Sequence, residues 1–363
     1  MRILRCLTLF AGCVLWAGGA SAQLQLTPPA AQPPKAAKPA APKKSEPAKA
    51  KPPVAAKKPA AKPPAQAKSA TPAKPAEPAA AEAVNPNADL VYGAYQRGQY
   101  KTAFDLATKR AQENNDPKAM TMLGELYSNA MGIRRDYAKA LEWYKRAADA
   151  GDREAMFALA MMRMSGRGGP VDKGEAVKLM ASSAKLGEPK AAYNLALLYL
   201  DGQTLPQDVK RSAELLRQAA DAGLPEAQYA LATFYKEGTG VPKDPERAVR
   251  LLQAASLTDN VDAEVEYAIA LFNGTGTPKN QPAAVALLRK ASRQGSAIAQ
   301  NRLAWVLING MGTAVDKVEG FKWHLVAKTA GKGDPDLDKQ LSDLPAEDRA
   351  KAEAAARKWL GTK

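Results

Sequence analysis

Few side chains in this sequence carry catalytic chemistry, and their spacing argues against a shared site. Ser182 and Lys185 lie three apart, the separation at which a lysine amine one helical turn away can take the proton of a serine nucleophile. The serine-aspartate-asparagine and lysine-threonine-glycine segments that complete such a site are both missing from the sequence. His324 is the single histidine, and the two cysteines are Cys6 and Cys13. One imidazole without thiolates does not make the usual transition-metal ligand set, so no metal or other cofactor is expected, and His324 beside Trp323 reads as a semi-buried packing residue. The carboxylate pairs Asp149 with Asp152 and Glu264 with Glu266 have a spacing open to acid–base work, but solvated helix ends account for them. Paired glycines at Gly166-Arg167-Gly168, Gly238-Thr239-Gly240, Gly274-Thr275-Gly276 and Gly310-Met311-Gly312 could pass for phosphate loops. No Lys-Ser or Lys-Thr pair follows them, and their periodic return is the behaviour of turns.

The elements that hold these residues are set by a period of 36. Alanine occurs at 119, 155, 191, 227, 263 and 299; Leu123 is followed at the same step by Leu159, Leu195, Leu231, Tyr267 and Leu303; Gly124 by Ala160, Ala196, Ala232, Ala268 and Ala304. Six copies of one supersecondary unit are implied. Within a copy, a first helix (A) opens at Asp116-Pro117, Glu188-Pro189 or Leu224-Pro225, where proline at the first helical position loses no hydrogen bond. Apolar residues at 119, 123, 126 and 127 then line one helical face. After the glycine turn an aspartate or asparagine at 136, 172, 208, 244, 280 and 316 is placed to cap a second helix (B). Asp172 with Glu175 and Asp316 with Glu319 have the spacing of a capping box. Helix B carries its own stripe, as in Ala140, Trp143, Tyr144 and Ala147, and usually stops at a glycine such as Gly151 or Gly187.

This pattern, with ALATFYKEGTGVPKDPERAVRLLQAA as a strong match, resembles the Sel-one-like repeat, a short-loop relative of the tetratricopeptide repeat. The resemblance spans residues 116–331 and implies an all-α fold, a right-handed α-solenoid of tandem helix-turn-helix 36-residue repeats. Residues 88–115 read as a capping hairpin turning at Gly98, six repeats fill 116–331, and 332–363 form a C-terminal capping region with a closing helix from Leu344 to Leu360. Tetratricopeptide-like packing further implies that helix A lines a concave surface, with the positions two before and two after Leu123 facing into it. Those rows are Thr121, Phe157, Tyr193, Tyr229, Val265 and Asn301, and Glu125, Met161, Leu197, Thr233, Ile269 and Trp305. With Met164 and Leu200 added, Phe157, Met161, Met164, Tyr193, Leu197 and Leu200 form an apolar strip. It is either a groove for a helix or extended peptide, to which methionines adapt, or core buried between adjacent helices.

The N-terminal residues 1–22 have the form of an export signal: Arg2 and Arg5, an apolar run from Cys6 to Trp16, and Ala20-Ser21-Ala22 at a cleavage position. Cleavage is the favoured reading; lipidation at Cys13 and a retained anchor are the alternatives. Residues 23–87 are almost wholly Ala, Pro and Lys, holding 16 of the 27 prolines and no aromatic residue. Such a segment cannot repay its ordering entropy, and a disordered, partly polyproline linker is expected. Its 11 lysines and three glutamates leave +8 of the formal +15. Export, and the lack of arginine or aromatic side chains in the arm, exclude nucleic acid as a partner. Anionic lipid headgroups or carboxylates of peptidoglycan fit the charge, although the lysines also serve simply to keep the arm soluble. Function then reads as a non-enzymatic periplasmic scaffold or adaptor that binds an envelope protein, peptide or sensor domain. The competing reading is a cell-wall or polysaccharide-binding module tethered by the basic linker.

Overall fold

The computed structural model describes residues 89–258 and 260–361; the export-type segment 1–22 and the Lys-rich arm 23–87 lie outside the described residues. Two helices, α1 (Leu90–Gln96) and α2 (Tyr100–Asn114), form a first hairpin that turns at Gly98, where φ is +73°. Six A/B pairs follow: α3 (Pro117–Asn129) with α4 (Tyr137–Asp149), α5 (Arg153–Ser165) with α6 (Lys173–Lys185), α7 (Pro189–Asp201) with α8 (Val209–Asp221), α9 (Pro225–Glu237) with α10 (Pro245–Ser256), α11 (Val261–Asn273) with α12 (Gln281–Arg293), and α13 (Ala297–Asn309) with α14 (Lys317–Thr329). Each A helix packs on its own B helix, and each B helix packs on the next A helix. That is the connectivity of an all-α solenoid in which every unit leans only on its neighbours. Among the described residues no helix is long and apolar enough to cross a membrane.

The repeat period becomes a repeated core. Ala119, Leu123 and Leu126 of α3 are buried, as are their counterparts along the A helices such as Ala155 with Leu159 and Ala299 with Leu303. On the B helices one large residue per repeat fills the same buried position: Tyr144, Met180, Leu216, Leu252, Leu288 and His324. One turn further on, the buried position is small: Ala147, Ser183, Ala219, Ala255, Ala291 and Ala327. Large and small side chains one turn apart on the same buried face leave room for the neighbouring helices to interdigitate.

The six aspartates and asparagines that precede the B helices all cap them, each side chain accepting from the backbone N–H three residues on. The capping boxes expected at Asp172 with Glu175 and Asp316 with Glu319 do not close. The backbone N–H that the glutamate would need is already given to helix A: Asp172 N donates to the Arg163 carbonyl and Asp316 N to the Leu307 carbonyl, 3.0 and 2.9 Å. The same bond joins Asp136 to Tyr127, Asp208 to Tyr199, Asp244 to Tyr235 and Asn280 to Leu271. One residue therefore caps helix B through its side chain and ties it to helix A through its backbone. Glu319 turns instead to Trp323 Nε1, 2.8 Å away.

The second glycine of the turn answers to the neighbouring repeat. At Gly240, φ is +67° and a Cβ would stand 2.7 Å from the Val209 carbonyl oxygen at the start of α8. At the C-terminal end the structure has two helices where the sequence suggests one: a short α15 (Pro335–Ser342), then α16 (Ala346–Gly361). Asp334 opens α15, accepting from Asp336 N and Leu337 N and also from Trp305 Nε1 at 3.0 Å. α16 packs on α14, where Trp359 meets Trp323 edge-on with ring centroids 5.0 Å apart.

Candidate interaction groove

Helices α3 and α5, the start of α7 and two side chains of α4 enclose a groove of about 740 Å³. Phe157, Met161 and Met164 of α5 form its apolar wall, with Tyr137 and Tyr144 of α4 beside them. A smaller hollow of about 220 Å³, lined in part by Tyr92, Tyr95 and Met122, shares Thr121, Glu125 and Glu154 with it. Glu125 thus stands where the two meet. Its Oε2 accepts from the Tyr144 hydroxyl at 3.1 Å and its Oε1 from Asn129 Nδ2 at 2.6 Å. Burial, reinforced by the Glu125 charge, drives the Tyr144 phenol far above its ordinary range, so it stays a neutral donor. At the rim, Lys118 Nζ lies 3.1 Å from both Asp152 Oδ2 and Glu154 Oε1. Burial lowers its pKa, but these two carboxylates outweigh that and hold the ammonium above its usual value.

The six residues singled out from the sequence are neither fully open nor fully core. All are half-buried, and all but Leu197 pack against buried core. The structure brings Phe157, Met161 and Met164 together in the groove, whereas Tyr193, Leu197 and Leu200 on α7 are not part of its lining. Thr121 and Glu125, one repeat earlier in the same rows, do line it. Tyr137, Tyr144 and Arg167 escaped the sequence reading because they come from helix B and the turn. The signal that could have found Tyr144 is its exception to an otherwise mostly aliphatic register position.

The residues with catalytic potential resolve into structure. Ser182 and Lys185 are both exposed on α6, and it is Ser183 that is buried, its hydroxyl donating to the Arg153 carbonyl at 2.7 Å. His324 is fully rather than partly buried, with Nε2 2.8 Å from Asp338 Oδ1 of α15. Solvation does not explain every carboxylate pair. Asp152 is buried because it caps α5 through Ala155 N at 2.8 Å while accepting from the Thr121 hydroxyl at 3.1 Å, and Glu264 is buried outright and pairs with Lys290. Among the described residues no group of three or more His, Cys, Asp or Glu side chains could hold a metal ion.

Fold and groove together define a class: an α-solenoid of tandem helix-turn-helix repeats that presents a groove along its A helices. The chain belongs to the Sel1 repeat family, whose repeat profile matches residues 117–152, 153–188, 189–224, 225–257, 261–296 and 297–332. Among solved structures it is similar to a Sel1 repeat protein from Oxalobacter formigenes, at 27% identity and a TM-score of 0.59 over 66% of this chain and 98% of that one. It is also similar to c5321, a protective antigen present in uropathogenic Escherichia coli strains displaying an SLR fold, at 25% identity and a TM-score of 0.60 over 76% of this chain and 63% of that one. No curated protein matches the chain.

Proposed function

We propose that this protein is an exported bacterial adaptor, working in the periplasm, that holds an envelope protein or sensor domain against its A helices. The observation that carries this reading is the half-exposed wall of Phe157, Met161 and Met164 along a groove large enough for a peptide segment. The signal-like N-terminus and the Lys-rich arm favour the envelope as the compartment, and both solved relatives named above come from bacteria.

The test is a photo-crosslinking amino acid at Met164 in the full chain, expressed in cells and irradiated in place. The adaptor reading expects one dominant adduct with an envelope protein, lost when Met161→Ser is added and not formed from a probe at Lys178 on the opposite helix. Adducts of equal intensity from both positions, or adducts with cytoplasmic proteins alone, overturn it.

A further inference from the structure

Among the acidic side chains that line the groove, Glu125 differs from its neighbours. Glu154 is matched by Lys118 and Glu188 by Arg153, but Glu125 has no ion-pair partner among the described residues. Its two hydrogen bonds, from the Tyr144 hydroxyl and Asn129 Nδ2, hold the carboxylate in one orientation. Each uses one lone pair of one oxygen and leaves acceptor capacity on both. Aromatic rings stand on either side: Tyr144 in the groove, and Tyr95 and Tyr92 in the adjoining hollow. A carboxylate held in place with acceptor capacity to spare attracts a cation through charge-assisted hydrogen bonds.

We propose that Glu125 anchors a lysine or arginine side chain of the partner, and that the apolar residues flanking that cation lie along Phe157, Met161 and Met164. This rests on the groove being the binding surface and names the chemistry it selects: a basic residue with apolar neighbours. Glu125 and Met161 occupy the same register position on successive A helices and line one groove, so the cation and its main apolar partner would lie along a single bound segment. Tyr95 reports the proximity of the carboxylate, since burial first and the Glu125 charge second push its phenol up. The half-buried position of Glu125 keeps solvent screening below that of an open surface pair.

The experiment is selection of a randomised twelve-residue peptide library, displayed on phage, against the immobilised full chain, followed by fluorescence anisotropy of the enriched peptides. The expected result is enrichment of Lys or Arg beside Leu, Met or Phe, with affinity falling roughly tenfold or more in Glu125→Gln and in peptides whose basic residue is replaced by norleucine. In the double change the two losses should not add, which a merely structural role for Glu125 would not produce. Glu125→Gln must melt with the parent chain; if it does not, Tyr144→Phe, which frees the carboxylate from one of its tethers, takes its place with a smaller loss expected. Peptides that bind the groove, shown by loss in Met161→Ser, but carry no basic residue would overturn the cation site and leave the groove standing. No enriched peptides at all would overturn the groove itself.

Discussion

The ring of Tyr144 lies over the bare α-carbon of Gly124, so close that a Cβ there would sit 2.6 Å from Cδ1 and Cε1 and 2.8 Å from Cζ. In the other five repeats the position of Gly124 is alanine, and the position of Tyr144 is Met180, Leu216, Leu252, Leu288 or His324. The two departures from the repeat are one adjustment. The first repeat gives up a methyl group to seat a phenol, and that phenol reaches Glu125 in the groove.

Gly124→Ala should therefore destabilise the chain although alanine is the better helix former by about 1 kcal/mol. Overpacking of this kind costs about 1–3 kcal/mol. Adding Tyr144→Leu should restore most of the loss, because the pair then matches the third, fourth and fifth repeats. Thermal melting of both single variants and the double variant closes the cycle; additive losses would show that the ring and the missing methyl are unrelated.

Ala130 closes α3 in the left-handed region at φ +58°, where the later A helices end on Gly166, Gly202, Gly238, Gly274 and Gly310. A Cβ in that conformation costs about 1–2 kcal/mol, partly offset by the extra chain entropy glycine brings to the unfolded state. Ala130→Gly should raise the melting temperature, with a net gain of about 0.5–1 kcal/mol. An unchanged or lowered melting temperature would contradict the strain.

Met161 and Leu197 share a register position and a degree of burial, yet only Met161 lines the groove. Each serine substitution should cost about 1–2 kcal/mol, less than for a fully buried side chain. Binding should separate them: Met161→Ser abolishes crosslinking from position 164, and Leu197→Ser leaves it. Equal loss from both would extend the surface across α7.

The tyrosines of α9 should titrate apart. At Tyr229 burial, followed by Glu266, Asp262 and Glu237, pushes the phenol up to about 12. The folded chain then holds this proton more tightly than the unfolded chain, with its ordinary value of 10.0, so the stabilisation present below the ordinary value is lost as pH rises through about 12. At Tyr235 burial also acts upward, but hydrogen bonds from Arg247 and Arg217 outweigh it and lower the pKa. Its contribution has the opposite sign, growing with pH from the folded value to the ordinary one. Tyrosinate absorbance in an alkaline titration should lose amplitude on its early side in Tyr235→Phe and a component at about 12 in Tyr229→Phe.

The 36-residue period determined the fold by itself, because alanine, leucine and glycine at fixed intervals specify which helix faces are buried and where the chain must reverse. Capping was legible for the same reason: Asp136 and its counterparts act on a backbone N–H three residues away, a contact set by local geometry. The capping boxes at Asp172 and Asp316 failed because their backbone N–H groups were claimed by Arg163 and Leu307, nine residues upstream across a turn. Only the packing decided which carboxylates are buried. Asp152 and Glu264 look like surface residues in a one-dimensional pattern, and in the buried state their carboxylates are met by Thr121 and Lys118 from the preceding repeat and by Lys290 from the following helix. The groove divided likewise. Helical period placed Phe157, Met161, Met164, Tyr193, Leu197 and Leu200 on one face, but whether a face stays open depends on the side chains next to it. At the first repeat those are a tyrosine and a glycine that no other repeat combines.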